Sequence, residues 1–532
     1  MNRMLELLPT RVIFAPGELV EIEVRGLESP APLEVFRLGD PAARREVDAD
    51  GIVSLGALPA GGYGVRLGDA RTAVQVTDDP RATLRYGFVV DYAPGRDLGA
   101  VTDNLRRLHL TGVQFYDWAY RHADLLGGGE TYDDALGQPV SLETVRRLIE
   151  ACHSVGADAL GYAAVYAAGP REWPRWQHDA LLTASGAPYS LGDFLFVLDP
   201  AAPDWLAHFR ADLAATAASV GFDGFHLDQY GYPKRAHRPD GAIIDVAASF
   251  CHLIEGVREE LPEGRLVFNN VNDFPTWATA GTRQDAVYIE VWKPQLELGH
   301  LARTVDRARA VVCGKPVVIA AYQHVYDSAG AEEADRATAL TMATLFSHGA
   351  THLLAGEADR ILVDPYYVRN HRTEASTAGL LQRYYDFAVA HHDLLFPPDV
   401  VEVTGSFAAD YNGDLDISYA EVAVHEAAVA GTVWRRITQV AGGRYVLHAI
   451  NLTGQTDTLW DAPRAPHGDP GVATLRMRRM GTSLPRIRWA DPDLHPELVD
   501  VALTVDGDDV IAQLPSPLRW QLVLIDPTPT PS

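Results

Sequence analysis

Between about residue 85 and residue 397 the chain alternates, eight times over, a short β-rich run with a helical pattern. The runs are RYGFVVDY, GVQFYDW, ADALGYAAVY, GFHLDQY, RLVFNNV, AVYIEVW, KPVVIAAY and THLLAGE. Helix-period stretches lie between them, among them LGAVTDNLRRLHL, SLETVRRLIEACHSVG, DWLAHFRADLAATAASVG and ADRATALTMATLFSHG. Eight strand–helix units over about 300 residues fit one (β/α)8 TIM barrel, α/β in class. The fifth helix, around Phe274 to Ala280, is the shortest. A doubly wound open sheet is the competing arrangement, but no GxGxxG follows the first strand.

The flanks read differently. Residues 1–84 carry VIFAPGELVEIEV, PLEVFRL and GGYGVRL, alternating apolar and polar positions between turn residues, as an immunoglobulin-like β-sandwich does. Residues 398–532 alternate in the same way and form a second antiparallel β-sandwich, with Asn412-Gly413 as a hairpin turn and PTPTPS as a frayed tail. No apolar run approaches the roughly 18–20 residues that span a bilayer. With 45 Lys and Arg against 71 Asp and Glu, the net charge of −26 repels nucleic acid and anionic membranes, so a neutral small substrate fits better. Cys152, Cys251 and Cys313 are far apart and make neither a disulfide framework nor a zinc knuckle. The N-terminal stretch lacks a signal-peptide core, so a cytoplasmic protein is expected, or a secreted one whose leader has been removed. Nothing in the pattern sets an oligomeric state.

In a barrel, chemistry belongs at the C-terminal strand ends. Here those ends carry Asp91, Asp117, Tyr166, Asp228, Asn270, Glu290, Tyr322 and Glu357. Carboxylates close five of the eight strands, whereas the N-terminal ends carry little of this kind, and Lys315 there reads as solvated. Alternation points His226 and Asp228 of strand four inward, and likewise Tyr288 and Glu290 of strand six. Asp228 and Glu290 can therefore converge across the mouth. Two carboxyls brought close cannot both ionise easily: one serves as nucleophile or base, the other stays protonated as an acid. Glycoside hydrolysis requires that arrangement, and a separation of about 5–5.5 Å gives retention.

Each residue also has a plainer reading. A strand-end Asp is often the cap of the next helix, and for Asp91 and Asp117 that reading stands level with substrate contact. Asp223 reads as a turn residue, and His226 taken alone as a core histidine. Tyr116, Trp118, Tyr120, Tyr230, Tyr232 and Trp292 suit either the core or stacking on sugar rings. Gly127-Gly128-Gly129 lacks the Lys-Ser/Thr of a phosphate cradle. Asp410 to Asp416 lacks calcium-loop spacing. Other barrel chemistries fit poorly. Strand one ends in Val90-Asp91-Tyr92 rather than the paired histidines of a metal amidohydrolase, no strand ends in an inward Schiff-base lysine, and strands seven and eight lack glycine-rich phosphate loops.

The segments GVQFYDWAYRHADLL, ALGYAAVYAAG, LFVLDPAAPDWLAHF, GFDGFHLDQYG, YIEVW and HLLAGEADRILVDPYY resemble glycoside hydrolase family 66, which contains endo-dextranases and cycloisomaltooligosaccharide glucanotransferases. The resemblance spans the barrel and implies retaining attack on α-1,6-glucosidic linkages of dextran or isomaltooligosaccharides. It places the nucleophile on Asp228 and the acid/base on Glu290, and it requires no cofactor and no metal. Leu227 and Gln229-Tyr230 depart from the smaller residues the family carries beside the nucleophile. Expected substrate contacts are Asp91, Tyr116, Asp117, Trp118, His122, Tyr166, His226, Asn270, Trp292, Tyr322 and Glu357. The alternatives are a glycosidase or transglycosylase on another α-linked glycan, and a non-catalytic glucan-binding protein. Members that make cyclic products carry a large insertion after strand seven. This chain has a short connection there, from Tyr322 to about Glu332, which favours hydrolysis.

Overall fold

A computed structural model describes residues 5–312, 314–409, 412–479 and 483–527. Cys313, Asp410 and the end of the PTPTPS tail lie outside the described residues. Eight parallel strands run in chain order around the barrel: β1 (Tyr86–Val89), β2 (Gly112–Phe115), β3 (Asp158–Ala164), β4 (Gly224–Asp228), β5 (Arg265–Asn269), β6 (Ala286–Glu290), β7 (Val317–Ala320) and β8 (Ala350–His352). The principal helices are α1 (Leu98–Arg107), α2 (Leu142–Ser154), α3 (Pro203–Val220), α4 (Val246–Glu260), α5 (Thr276–Thr279), α6 (Leu298–Val311), α7 (Ala331–Ser347) and α8 (Ala375–Ala390). The weak fifth helix is a single turn. No helix of the described residues is long and apolar enough to cross a membrane.

Each pair of neighbours from β1 to β8 is laddered. The seam between β8 and β1 is closed by other means. Thr351 Oγ1 donates to Leu84 O at 2.7 Å, and Gly356 backs onto Phe88, where a Cβ would meet Phe88 N and O at 2.3 Å. Glu357 Oε2 then accepts the N–H groups of Val90 at 2.8 Å and Asp91 at 3.2 Å. Gly224, at the start of β4, lets β5 approach so closely that an added Cβ would lie 1.9 Å from Arg265 O.

Before the barrel, strands Glu6–Pro9, Leu19–Arg25 and Gly51–Ala57 form one sheet, and Ala31–Arg37, Asp40–Val47, Gly61–Leu67 and Ala70–Val76 form another. Val20, Ile22 and Val24 of the first meet Leu33, Val35, Val65 and Val74 of the second in one core. After the barrel, a sheet built on Val433–Val440, Arg444–Asn451, Arg486–Asp491 and Trp520–Asp526 faces one built on Leu415–Ser418, Ala473–Arg478 and Asp509–Leu514. Ile437, Leu447 and Val523 pack there on Ile417, Leu475 and Ala512. Asn412-Gly413 is not the hairpin turn: it is the returning strand, paired with Ala408–Ala409.

The N-terminal barrel end is not poor in charge, contrary to the sequence expectation. Arg85 is buried and donates to Gln75 Oε1 at 2.6 Å, Val12 O at 3.0 Å and His109 O at 2.5 Å, tying β1 to the N-terminal sheets. Arg265 reaches Asp158 Oδ2 at 2.6 Å and Thr83 O at 2.8 Å across the barrel interior. Lys315 is not solvated either: it is half-buried and donates to Ala280 O at 2.9 Å and Thr282 O at 2.5 Å, so burial lowers its pKa. These cations stitch layers together.

Because β4 and β5 touch at Gly224, Gly224→Ala should destabilise the fold by about 1–3 kcal/mol or more through overpacking. Gly281→Ala, whose Cβ would meet only Ala278 O at 3.9 Å, should be near neutral. Urea unfolding of the two variants checks this, and equal midpoints would contradict the close approach.

Candidate active site

Alternation along β4 and β6 delivers Asp228 and Glu290 to the C-terminal mouth, and β5 between them delivers Asn269. The Asn269 amide nitrogen donates to Asp228 Oδ1 at 2.7 Å and to Glu290 Oε2 at 2.8 Å. The two carboxyls thus share one amide. Tyr162 of β3, level with His226 in the ladder, donates its hydroxyl to Asp228 Oδ2 at 2.7 Å. Trp292 donates its indole N–H to Glu290 Oε1 at 2.9 Å, and the Tyr322 hydroxyl also hydrogen-bonds to this carboxyl.

The electrostatics of the pair follow from this wiring. Burial pushes the Asp228 carboxyl upward, but Tyr162, Asn269 and the Gln229 N–H favour its charged form. Burial pushes Glu290 up to about 7, and the charge of Asp228 pushes in the same direction. Asp117 is pushed up to about 8 by burial and by Asp134 and Asp228. One mouth therefore holds three carboxyls whose pKa values are all raised, two of them to near neutral pH or above. Asp117 does not cap a helix: it is buried, with φ +45°, in the left-handed region. Asn272, Asp273 and Ala358 also have positive φ and also follow barrel strands, so backbone strain gathers at this end.

Under the carboxyls lies an aromatic layer. His226 is buried between Tyr86 and Tyr162, with ring centroids 5.8 and 6.2 Å away, and its Nδ1 is 3.2 Å from the Tyr86 hydroxyl. Burial drives its pKa down to about 3. It is a core histidine beneath the mouth and not a substrate contact. Tyr116 stacks on Tyr367 at 4.2 Å and packs on Tyr162 at 5.2 Å, at the edge of the cluster. His122 is half-buried against Tyr162, and burial lowers its pKa to about 4. Tyr322 packs near Trp292 at 5.9 Å and Tyr367 at 6.1 Å.

Other expected contacts fall elsewhere. Trp118 is fully buried against Phe222 and donates to Tyr162 O at 3.2 Å, so no ring face is free for a sugar. Tyr166 is fully buried too: its hydroxyl donates to Tyr232 O at 2.9 Å and accepts Tyr230 N–H at 2.8 Å, which shapes the loop after β4. Asn270 points away from the mouth. It donates to Phe268 O and Tyr288 O and accepts from Thr279 Oγ1 at 2.5 Å. Asp91 is exposed and accepts the Ala93 N–H at 3.0 Å, a turn contact, while Asp97 caps α1. Glu357 is committed to the barrel seam and to a buried ion pair with Arg96. Asp223 serves a turn, accepting Ala159 N–H at 2.7 Å.

Several residues of the site escape a reading by strand ends. Asn269 and Tyr162 were findable by parity, since each is in ladder register with an inward neighbour. Tyr367 comes from a segment after β8 with no local signal. Asp461, from the C-terminal part of the chain, accepts Val325 N–H at 2.8 Å and lies 3.0 Å from His324 Nδ1, whose pKa it raises. The His324 ring is 6.4 Å from Trp292. A different cavity, of about 1010 Å³, opens at the N-terminal barrel end beside Arg85, Lys315 and Phe396. Its charges are largely matched, as in Arg37 with Asp393 and Arg436 with Asp306, so it lacks the unmatched acids of the mouth.

The glycosyl hydrolase family 66 model matches residues 63–524. A cycloisomaltooligosaccharide glucanotransferase of Niallia circulans is 27% identical over 321 residues, covering 54% of this chain and 33% of that protein. A dextranase of Streptococcus salivarius is 25% identical over 398 residues, covering 62% of this chain and 48% of that protein. This chain thus spans a third to a half of these relatives. A Paenibacillus sp. cycloisomaltooligosaccharide glucanotransferase complexed with cycloisomaltoheptaose has the same fold, with a TM-score of 0.87 at 19% identity over 98% of this chain and 100% of that one. A family pattern that runs through nearly the whole described structure settles kinship: the chain belongs to glycosyl hydrolase family 66.

Proposed function

We propose that the protein is a retaining glycosidase that cleaves α-1,6-glucosidic linkages of dextran or isomaltooligosaccharides. The observation that carries this reading is the shared amide. Two carboxyl oxygens 2.7 and 2.8 Å from one nitrogen lie no farther apart than those two bonds end to end. Carboxyls whose nearest oxygens are held within about 5.5 Å fit the short spacing of retaining enzymes better than the roughly 6.5–9.5 Å of inverting ones. The linkage is supported by kinship with proteins named dextranase and cycloisomaltooligosaccharide glucanotransferase.

In this reading Asp228, ionised and steadied by Tyr162 and Asn269, attacks the anomeric carbon. Glu290, protonated near neutral pH, gives its proton to the departing glycosidic oxygen. The glycosyl-enzyme ester is then cleaved by water, which Glu290 deprotonates, and the configuration is retained. Asp117, His122 and Tyr116 line the mouth beside the nucleophile and supply contacts to sugar hydroxyls. The chemistry needs no cofactor.

Asp228→Asn should abolish turnover of dextran while binding persists, measured by product release and affinity electrophoresis; unchanged turnover would falsify the assignment. Glu290→Gln should lose roughly 10²–10⁴-fold on dextran, whose leaving alkoxide needs the proton, and far less on an aryl glucoside. Equal losses would remove Glu290 from the acid role.

The rate should follow a bell in pH. It rises as Asp228 ionises and falls through about 7 as Glu290 loses its proton. A rate still climbing above pH 8 would contradict that division of labour.

The link from β7 to α7 holds only the one-turn helix Val325–Ser328. Nothing in that link tethers a long acceptor end beside the glycosyl-enzyme, so water should win over intramolecular attack. Mass spectrometry of early products should give short linear sugars, with transglycosylation minor and growing with substrate concentration. Cyclic oligosaccharides as the dominant early product would overturn this.

A further inference from the structure

Asn269 and Asn270 are adjacent, both buried and chemically identical, yet their surroundings differ. Asn270 uses its whole amide on the protein: its nitrogen serves two carbonyls, and its oxygen takes the Thr279 hydroxyl. Asn269 spends both N–H groups on the carboxyl pair, and its Oδ1 is buried with no hydrogen-bond partner. An unpaired buried carbonyl costs about 1–3 kcal/mol, so native structures seldom keep one without use. Because the nitrogen is fixed at two points, the amide cannot turn to bring its oxygen to another donor. It is held in the mouth beside Asp228.

We infer that Asn269 is a positioning and substrate-binding residue: its nitrogen holds the two carboxyls at their working separation, and its oxygen accepts a hydrogen bond from the C2 hydroxyl of the sugar under attack. This rests on the glycosidase reading above. The choice of hydroxyl is chemical. Asp228 attacks C1, whose ring neighbours are the ring oxygen and C2. The ring oxygen carries no proton, so an acceptor beside the nucleophile has only the C2 hydroxyl to receive from. As positive charge builds at C1, that hydroxyl becomes a better donor, and its bond to Oδ1 strengthens in the transition state. The same residue therefore orders the catalytic pair and checks the configuration of the sugar offered to it.

The test pairs an aryl α-isomaltoside with its analogue lacking the C2 hydroxyl on the ring that bears the aryl group. For Asn269→Ala, kcat/KM should fall about 100-fold on the hydroxy substrate and less than about tenfold on the deoxy one. Asn270→Ala should treat the two substrates alike. Asn269→Ser, which can serve only one carboxyl, replaces the alanine variant if thermal unfolding finds that one unfolded. Equal losses on both substrates would overturn the hydroxyl contact.

The bridge has its own readout, independent of turnover. In ¹³C NMR titrations of the side-chain carboxyls, Asn269→Ala should move the Asp228 and Glu290 midpoints upward, because both lose a donor to their charged forms, whereas Asn270→Ala should leave them in place. Unmoved midpoints would overturn the bridge. If the wild type turns over neither substrate, the glycosidase reading falls and the hydroxyl contact falls with it, while the titration still decides the bridge.

Discussion

Holding two carboxyl groups a few ångströms apart in a buried mouth is unfavourable twice over, through desolvation and through mutual repulsion. Everything around the site offsets that cost in a particular way. Asp228 receives Tyr162, Asn269 and the Gln229 N–H, donors that favour its charged form against the upward push of burial. Glu290 receives Asn269, Trp292 and Tyr322 but feels Asp228, and so retains its proton more readily. The asymmetry between the two carboxyls is thus built from donors of neighbouring strands and loops. It does not depend on the intrinsic difference between Asp and Glu, which is small.

Those donors are themselves held. Tyr162 is fixed by stacking in the layer of Tyr86, His226 and Tyr116. Gln229, a departure from the smaller residue expected there, donates to Asn269 O at 3.1 Å and Phe274 O at 3.0 Å and accepts Gly231 N–H at 2.6 Å. It locks the turn after Asp228 to the end of β5. Leu227, the other departure, is fully buried on the outer face of β4, away from the mouth, and so bears on packing more than on sugar choice. From the C-terminal part of the chain, Asp461 holds the start of the β7–α7 link, and Trp460 donates to Gln295 O at 2.7 Å. The loops that carry Trp292 and His324 are therefore braced by a segment more than 130 residues distant in sequence.

The barrel, its strand order and the carboxyl pair were legible because each rests on periodicity: alternation of elements for the fold, and alternation of side chains for Asp228 and Glu290. The errors arose where position at a strand end replaced parity. On strand five the mouth-end residue of the sequence reading is Asn270, one past the strand itself, but the ladder pairs Asn269 with Tyr288, and Asn269 is the one that faces inward. Tyr166 shares the parity of Tyr162 but lies two residues past the end of β3, where its hydroxyl serves the backbone of the loop after β4. Trp118 and Glu357 failed differently. Each lies at the mouth in sequence, but one packs on Phe222 and the other answers backbone donors left open where β8 fails to ladder with β1. Those demands are tertiary and leave no local trace.

The distribution of charge separates structure from chemistry more sharply than composition does. A net charge of −26 says only that acids are in excess. At the N-terminal barrel end, buried cations meet carbonyls, amides and carboxylates: Arg265 has Asp158, and Arg258 has Asp285 at 2.5 Å. At the other end, Asp117, Asp228 and Glu290 crowd together and receive only neutral donors. A cation among them would stabilise both members of the pair as anions and leave no acid at neutral pH. Neutral donors stabilise one charge without abolishing the second proton. Tyrosine, tryptophan and asparagine around the pair, where arginine and lysine serve the rest of the barrel, are what a site needs if it must keep one carboxyl charged and the other not.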